Sequence, residues 1–519
     1  MSQPAQTGKH PKGLYVLFAT EMWERFNFYG MRAILVLFMT KALLFNDAFS
    51  SNLYGSYIGL IYLTPLVGGY IADRYWGNKR SILVGGVIMA IGELILFACG
   101  SVYNSSPGLS TILFYSGLGF MVAGNGFFKP NISSLVGQLY TASDTRKDAA
   151  YTIFYMGINI GGMMGPLICG FFGDTGNPAD FRWAFLIGAI AMLTSLVVQK
   201  LYHDKYVLSP EGKILGQTPG SDQLTSGQLT ESKKDLVPPP PKAALSPIVI
   251  IVGMFAFVGI TIGAMYLDTR INYLFYLLSG SFIFIIFLIF SDKHLNREEK
   301  QRIWVLIIIA FFVVFFWGAY EQTGASLTLF ADRQTNRHLW GNYTMPTSYF
   351  QSFNSAFIII FAPLFAWLWL KMGKKQPATI TKQAFGLILL ALGYLWIAYG
   401  VNHVVTKVSM IWLTGMYMLH TWGELCLSPI GLSLFNKLAP LRFASLLMAV
   451  WFLGNAGGNK LAGVLSALYP ESGKTTSFLG YQMNNLYDFF MLFVFMAGIA
   501  GIILLLLSKK LGKMMHGIK

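Results

Sequence analysis

The stretch Glu21-Met-Trp-Glu24-Arg25-Phe-Asn-Phe-Tyr29-Gly-Met-Arg32 lies within the first apolar segment of the chain. It places two acids and two bases where a charged side chain costs at least about 2.5–3.5 kcal/mol at the centre of a membrane helix. At about 100° per residue, one helical face carries most of the polar set, which comprises Glu21, Arg25, Tyr29, Arg32 and, at its edge, Glu24. Such a stripe indicates a wet pathway for an ion or a substrate. A salt bridge at a helix end is the alternative, but Arg25 and Arg32 lie mid-segment.

The composition is that of a membrane protein. Hydrophobic residues make up 54% and charged residues 12% of the 519 residues, and the mean hydropathy is +0.54. This excludes a typical soluble protein and leaves room for about a dozen membrane spans. The net charge of +15 at pH 7 is explained by basic loops on one side of a membrane, so we expect no nucleic-acid partner. Cys99, Cys169 and Cys426 fall in apolar segments and predict neither a disulfide framework nor a metal site.

Apolar windows of about 20 residues predict an all-α polytopic membrane protein with fourteen spans. The windows are 14–40, 51–72, 80–100, 110–138, 150–172, 183–201, 247–267, 271–291, 303–330, 348–370, 381–401, 407–435, 442–468 and 485–507. No cleavage site of small residues follows the first window, which we therefore interpret as a retained span rather than a signal peptide. An even number of spans puts both termini on one side. Most of the 38 Lys and Arg residues then lie in loops on that side, which predicts cytoplasmic termini.

Two features divide the chain. The polar stretch 203–246 ends in Pro238-Pro-Pro-Pro241 and predicts a cytoplasmic linker after a six-helix bundle at 1–202. The next two spans, at 247–291, are joined only by Asp268-Thr-Arg270 and contain no charge, so we expect an inserted hairpin that faces lipid. The remainder, 292–519, predicts a second six-helix bundle. An arrangement of 6 + 6 spans is typical of transporters that bind substrate at the interface between two repeats.

A short loop after the second span carries charges on both sides of a turn. Gly69-Tyr-Ile-Ala-Asp73-Arg74-Tyr-Trp-Gly77-Asn-Lys79-Arg80 resembles a cytoplasmic loop of the major facilitator superfamily, although its spacing is one residue longer. Asp73 could meet a helix N-terminus or a neighbouring Arg as a latch between rocking halves. An ordinary cytoplasmic turn is the alternative.

Further polar residues lie inside predicted spans. Lys129 stands next to the helix-breaking Pro130 and needs a counter-charge, for which the glutamates of the first span are the nearest candidates. Glu321 and Glu424 each follow aromatic residues in an apolar span, so an acid surplus suits a site that pairs charges and carries protons. We favour a structural hydrogen-bonding role for Glu93 and a packing role for His420, for which a proton relay is the alternative. Lys460 serves an outer gate or caps the cavity, and the sequence does not distinguish the two.

Three motifs together resemble one family. Glu-x-x-Glu-Arg-Phe-x-x-Tyr at 21–29, Phe-Tyr-x-x-Ile-Asn-x-Gly at 154–161 and Gly-Glu-x-x-x-Ser-Pro at 423–429 are similar to those of bacterial proton-coupled oligopeptide transporters, of major facilitator fold. The resemblance implies symport of di- and tripeptides with protons by alternating access, without a cofactor. It implies a multi-pass protein of the bacterial inner membrane that works as a monomer in the lipid bilayer.

The resemblance also implies roles for individual residues. Proton coupling would involve Glu21, Glu24, Arg25, Lys129 and Glu321. Arg32, helped by Lys129, would bind the peptide carboxylate, and Glu424, Asn159 and Asn354 would bind the peptide amine. The pocket lining would comprise Tyr29, Tyr70, Tyr155, Trp317 and Trp451.

Two positions depart from the family pattern. The family usually has two tyrosines where this chain has Phe28-Tyr29, so one hydroxyl near the peptide backbone is missing. Mammalian members have a histidine in the second span where Tyr54-Gly55-Ser56 stands. Coupling in this chain must therefore rest on carboxylates.

Other functions fit the sequence less well. A carrier of another small anion, such as nitrate or an organic acid, would keep Arg32 but would not need Glu424. A membrane enzyme would need a nucleophile with a base or a metal cluster, and the sequence has no such set of residues with suitable spacing. A peptide sensor would carry a signalling domain.

Overall fold

The structure is a computed structural model that describes residues 8–141, 144, 146–218, 247–339, 341, 343–402, 406–470 and 474–517. Its α-helices, in chain order, are α1 Lys12–Lys41, α2 Asp47–Ile71, α3 Gly77–Val102, α4 Pro107–Gln138, α5 Lys147–Gly173, α6 Phe181–Tyr206, α7 Pro247–Ile271, α8 Tyr273–Phe290, α9 Arg297–Tyr320, α10 Ser326–Arg333, α11 Phe350–Met372, α12 Thr379–Val401, α13 Met410–Leu438, α14 Ala444–Ser466 and α15 Leu486–Met514. The predicted all-α class is confirmed.

Strands are confined to short connections. β1 (Thr335–Asn336) pairs in parallel with β2 (Val408–Ser409), and β3 (Thr476–Phe478) pairs antiparallel with β4 (Tyr481–Met483). Val408 of β2 and Met483 of β4 are buried against the hydrophobic core. The backbone amides inside a bilayer must be satisfied within the chain, and helices achieve this without edges.

Ten helical stretches of the described residues are long and apolar enough to cross a membrane. One of them runs for 56 residues, Asp47–Val102, because a π-helical turn, Ala72–Trp76, joins α2 to α3 without a break. It therefore contains two of the predicted windows. The total of fourteen spans stays a prediction.

The helices pack in two groups. In the first group, α1 packs against α5 and α6, and α3 packs against α4 and α6. In the second, α12 packs against α13 and α15, and α9 packs against α14. The groups meet where α2 packs on α14 and α5 packs on α11. The division at the predicted domain boundaries stays a prediction. The α2–α14 and α5–α11 contacts form the interface between the two groups, at which the candidate site lies.

Glycine permits close approach at two helix crossings. A Cβ at Gly68 of α2 would lie 2.0 Å from the carbonyl oxygen of Gly126 in α4, within the first group. A Cβ at Gly55 of α2 would lie 2.6 Å from Cα of Gly463 in α14, across the interface. Small residues are how membrane helices bring their backbones together.

The loop around Asp73 is not a loop in the structure. It forms the π-helical turn between α2 and α3, and Asp73 is exposed, with no hydrogen bond or ion pair to another described residue. The predicted latch contact is therefore absent from this conformation. The helical turn satisfies its own backbone groups, and the Asp73 side chain is left exposed to solvent.

The linker begins later than predicted. α6 continues to Tyr206, because His203 is fully buried and bonds to Gln199 at 2.7 Å and to the carbonyl of Leu215 at 2.9 Å. The chain then returns against α3, where the amide of Lys79 donates to the carbonyl of Gly216 at 2.9 Å. Residues 219–246, which include the predicted stiff run of prolines, lie outside the described residues.

The predicted hairpin, α7 and α8, departs from its expected surroundings. Asp268 was expected in the connection between two uncharged spans, yet α7 continues through it to Ile271 and its side chain is fully buried. α7 packs on α2 and α4, whereas α8 packs on α14. Most of the two helices is exposed, as expected of a hairpin that faces lipid, but one side of the hairpin contacts both helix groups.

The Gly68 crossing makes a testable prediction. Gly68→Ala should lower the unfolding temperature in detergent, because an added Cβ overlaps the backbone of Gly126 and overpacking typically costs about 1–3 kcal/mol. Gly69→Ala is the matched control, since its Cβ would meet nothing closer than 3.8 Å. Equal unfolding temperatures for the two variants would contradict the close crossing of α2 and α4.

Candidate functional site

The predicted cluster on α1 forms as a buried ion network. Nε of Arg25 lies 2.6 Å from a carboxylate oxygen of Glu24 and 3.0 Å from one of Glu21. The amide of Asn125 on α4 donates to the other oxygen of Glu24 at 3.3 Å. All three charged side chains are at most 4% exposed. Two acids share one base, so a proton added to either acid leaves the base paired.

Lys129 does not pair with those acids. Its ammonium nitrogen lies 4.4 Å from the centroid of the Tyr62 ring. Among the described residues it has no carboxylate within 4.0 Å. Lys129 therefore forms no direct ion pair with a glutamate of the first span in this conformation, although Glu24 and Glu21 are the acids that act on it most strongly. Arg25 occupies both acids, and an aromatic face is the remaining electron-rich partner for the ammonium.

Arg32 joins the two helix groups. Its guanidinium forms an ion pair with Glu321, which stands in the 3-10 turn directly after α9, and both side chains are at most 8% exposed. The guanidinium also lies 5.9 Å from the ring centroids of Tyr29 and Tyr54. The residue predicted to bind a peptide carboxylate is thus held by the residue predicted to carry a proton.

Glu424 on α13 is held by hydrogen bonds instead of by a cation. The hydroxyl of Tyr320 donates to it at 2.5 Å, and the amide of Asn354 on α11 donates at 3.0 Å. Asn354 also donates to the hydroxyl of Thr421 at 3.1 Å. Glu424 is only partly buried. Because Tyr320 and Glu321 are adjacent in the chain, the Glu424 site and the Arg32 ion pair are neighbours.

The other predicted contact residues spread over both groups. Asn159 on α5 is buried and donates to the carbonyl of Tyr155 at 2.9 Å. Tyr155 and Tyr70 are exposed by 38% and 60% and are open to a ligand or to lipid. Trp317 and Trp451 are at most 8% exposed and pack against Tyr320 and Phe435, respectively. Tyr70 and Tyr155 are therefore accessible from outside the protein, whereas Trp317 and Trp451 are buried.

Sequence reasoning missed two hydrogen-bond donors of the site, and the structure also shows what surrounds Phe28. Tyr320 was not predicted to bind Glu424, although it precedes Glu321, and Asn125 was not predicted to bind Glu24. A buried acid needs a donor, which is the signal that could have pointed to both. Phe28, which lacks the usual hydroxyl, has the Arg25 guanidinium 5.3 Å from its ring centroid.

A large groove of about 950 Å³ lies elsewhere in the molecule. Its lining is apolar and comes from α8, α9, α14, α15 and the β3–β4 turn, including Phe275, Phe312, Leu461, Tyr481 and Phe495. None of the predicted site residues lines it. A groove without polar anchors does not suit a zwitterion, so the charged cluster remains the candidate site.

Ion pairs also close one end of the interface. Lys41, the last residue of α1, lies 2.6 Å from Asp332 of α10, and Asp47, the first residue of α2, pairs with Arg333 of α10. The end of the molecule at which α1 ends and α2 begins is therefore closed, in agreement with the α2–α14 crossing. We call this the closed end.

Comparisons with known proteins identify the family. The POT family (PTR2) matches residues 79–217 and 245–485. The chain is 35% identical to the peptide transporter YePEPT of Yersinia enterocolitica over 468 residues, 88% of this chain and 87% of that protein. It is 34% identical to the uncharacterized transporter YclF of Bacillus subtilis, with 98% and 96% of the two chains covered.

Solved structures agree. A crystal structure of a peptide transporter POT in complex with sulfate superimposes with a TM-score of 0.81 at 30% identity, covering 98% of this chain and 96% of that one. A POT family transporter in complex with 5-aminolevulinic acid gives a TM-score of 0.79 at 29% identity, with 98% of each chain covered.

The resemblance drawn from the motifs and the major facilitator type of fold are confirmed. The family is one of membrane transporters and not a class of enzymes. The family match spans more than half of the chain, and relatives of at least 30% identity cover nearly all of it, so this chain belongs to the POT family.

Proposed function

We propose that this protein is a symporter that imports di- and tripeptides together with protons by alternating access. Its relatives include a di-/tripeptide transporter of Lactococcus lactis, 30% identical over 526 residues. We also propose that it resides in the bacterial inner membrane with both termini in the cytoplasm. It works as a monomer, and one central site serves both peptide and proton. The basic loops on one side support the orientation.

The observation that carries the proposal is the pairing across the interface. Arg32 in the first helix group is neutralised by Glu321 in the second, and Glu424 lies beside that pair with only neutral donors. A peptide zwitterion brings a carboxylate that can replace Glu321 on Arg32 and an ammonium that can pair with Glu424. A ligand with both charges therefore bridges the two groups, whereas a simple anion satisfies only one of them.

Protons and peptide then act on the same ion pair. Protonation of Glu321 removes the anion that holds Arg32, which frees the guanidinium for the peptide carboxylate. Protonation of Glu21 or Glu24 changes the field at Lys129, whose ammonium is held by the Tyr62 ring and no carboxylate in this conformation. Each proton that moves inward supplies about 2.3 kcal/mol per 100 mV and about 1.4 kcal/mol per pH unit. That is enough to accumulate a peptide by one to two orders of magnitude.

Uptake into proteoliposomes tests the function. With a proton gradient imposed, a dipeptide and a tripeptide should accumulate above the external concentration, and a free amino acid and nitrate should not. Lys129→Ala should abolish this accumulation but leave downhill peptide exchange, because the coupling cation is lost while Arg32 and Glu424 remain. Lys213→Ala, at an exposed loop position, is the control and should behave as the unmodified protein. Uphill uptake by Lys129→Ala would refute the coupling role, and uptake of nitrate instead of peptide would favour an anion carrier.

The two charged anchors can be separated by chemistry at the ends of the peptide. N-acetylation of a dipeptide should weaken binding at least tenfold, about 1.4 kcal/mol, because Glu424 loses its cation. That penalty should largely vanish in Glu424→Gln, and the penalty for C-terminal amidation should vanish in Arg32→Ala. Each variant is the control for the other, since each should keep the penalty at the end that it does not bind. Calorimetry on purified protein measures both. Equal binding of free and acetylated dipeptide by the unmodified protein would remove Glu424 as the amine anchor.

A further inference from the structure

Lys460 on α14 finds its counter-charge in the hairpin. Its ammonium lies 2.5 Å from the carboxylate of Asp268 on α7, and both side chains are fully buried. It also donates to the hydroxyl of Ser56 on α2 at 3.2 Å and to the side-chain oxygen of Asn272, in the connection between α7 and α8, at 3.1 Å. All three ammonium hydrogens thus have an acceptor.

The carboxylate of Asp268 is equally well satisfied. One oxygen accepts from the Ser56 hydroxyl and from Lys460, and the other accepts from the backbone amide of Leu274, the second residue of α8, at 2.8 Å. This polar cluster joins α2 and α14 through both helices of the hairpin. It lies outside the peptide site and contains none of its residues.

The cluster sits at the crossing that must open. The nearest atoms to a Cβ at Gly59 of α2 would belong to Leu274 of α8, to Ala456 and to Lys460 of α14, at 3.4–3.8 Å. One turn away, Gly55 and Gly463 bring the two backbones together. Separation of α2 from α14 at the closed end therefore pulls Ser56 and Lys460 apart around Asp268.

When α2 and α14 separate, the hairpin cannot remain packed on both of them. α7 is seated on α2 and α4, where the hydroxyl of Thr261 donates to the carbonyl of Gly119 at 3.1 Å, whereas α8 is seated on α14. Breaking a buried ion pair leaves an uncompensated charge in apolar surroundings, which is strongly unfavourable. The pair therefore favours the conformation in which α2, α7 and α14 are together.

We propose that the hairpin is a latch on the closed end, and that Asp268 is the positioning residue that holds Lys460 against α2. The proposal rests on the alternation proposed above, but it concerns the equilibrium between conformations and not the recognition of peptide. The inserted helices would thus set how readily the transporter opens at the closed end. Without the Asp268–Lys460 pair, the open-ended conformation should gain population.

The test measures the distance across the closed end in lipid nanodiscs, without peptide or a proton gradient. Spin labels on Leu44→Cys, after α1, and Leu479→Cys, between β3 and β4, report the separation, since these side chains are 80% and 94% exposed. The three native cysteines are buried and are replaced by serine. Asp268→Asn keeps the shape but not the charge, and Asp268→Asn with Lys460→Met removes both charges, so that no ion is left buried and unpaired.

Both variants should show a second population at longer separation that the unmodified protein lacks. Thr261→Val is the matched control, because it removes a hydrogen bond between the hairpin and α4 but leaves the ion pair, and it should keep the short distance. An unchanged distance distribution in the double variant would overturn the latch, whatever Asp268→Asn shows alone. Because no peptide is present, failure of peptide transport would not affect this result.

Discussion

The cost of an unpaired charge at membrane depth organises this structure. The buried cations Arg25, Arg32 and Lys460 are matched by two glutamates, by Glu321 and by Asp268, respectively, and the half-buried Lys129 is matched by a tyrosine ring. A buried pair is strongly unfavourable to break unless a substitute partner arrives. The interface between the helix groups is therefore controlled by whatever can replace one member of a pair.

Peptide and proton are the two substitutes that the proposed cycle uses. A proton removes the negative charge from Glu321, and a peptide carboxylate takes its place on Arg32, so that the two together leave no buried ion unpaired. Glu424, bonded by Tyr320 and Asn354, is held ready for a cation without having one. The closed end is controlled separately, by Asp268 and by surface ion pairs, so that substrate recognition and opening are linked through helix movement.

The helical class and the family could be predicted because hydropathy and motif residues are local properties of the sequence. The ion pairs between helices could not be predicted, because they depend on which helices pack against each other. Arg32 and Glu321 were each expected in the site, but not as partners. The sequence does not show that Arg25, rather than Lys129, pairs with Glu21 and Glu24. It also places Asp268 in a turn, because nothing in the sequence links Asp268 to a partner 192 positions away. The continuous helix at Asp73 was also missed, because a glycine-flanked charged segment normally indicates a turn.

The central claim is that Glu321 competes with the peptide for Arg32. The most direct test is the dissociation constant of one dipeptide, measured by calorimetry across a range of pH for the unmodified protein and for Glu321→Gln. Glu321→Gln should bind the dipeptide more tightly than the unmodified protein at each pH, because Arg32 no longer has a carboxylate that competes with the peptide. Equal or weaker binding by Glu321→Gln would contradict the account.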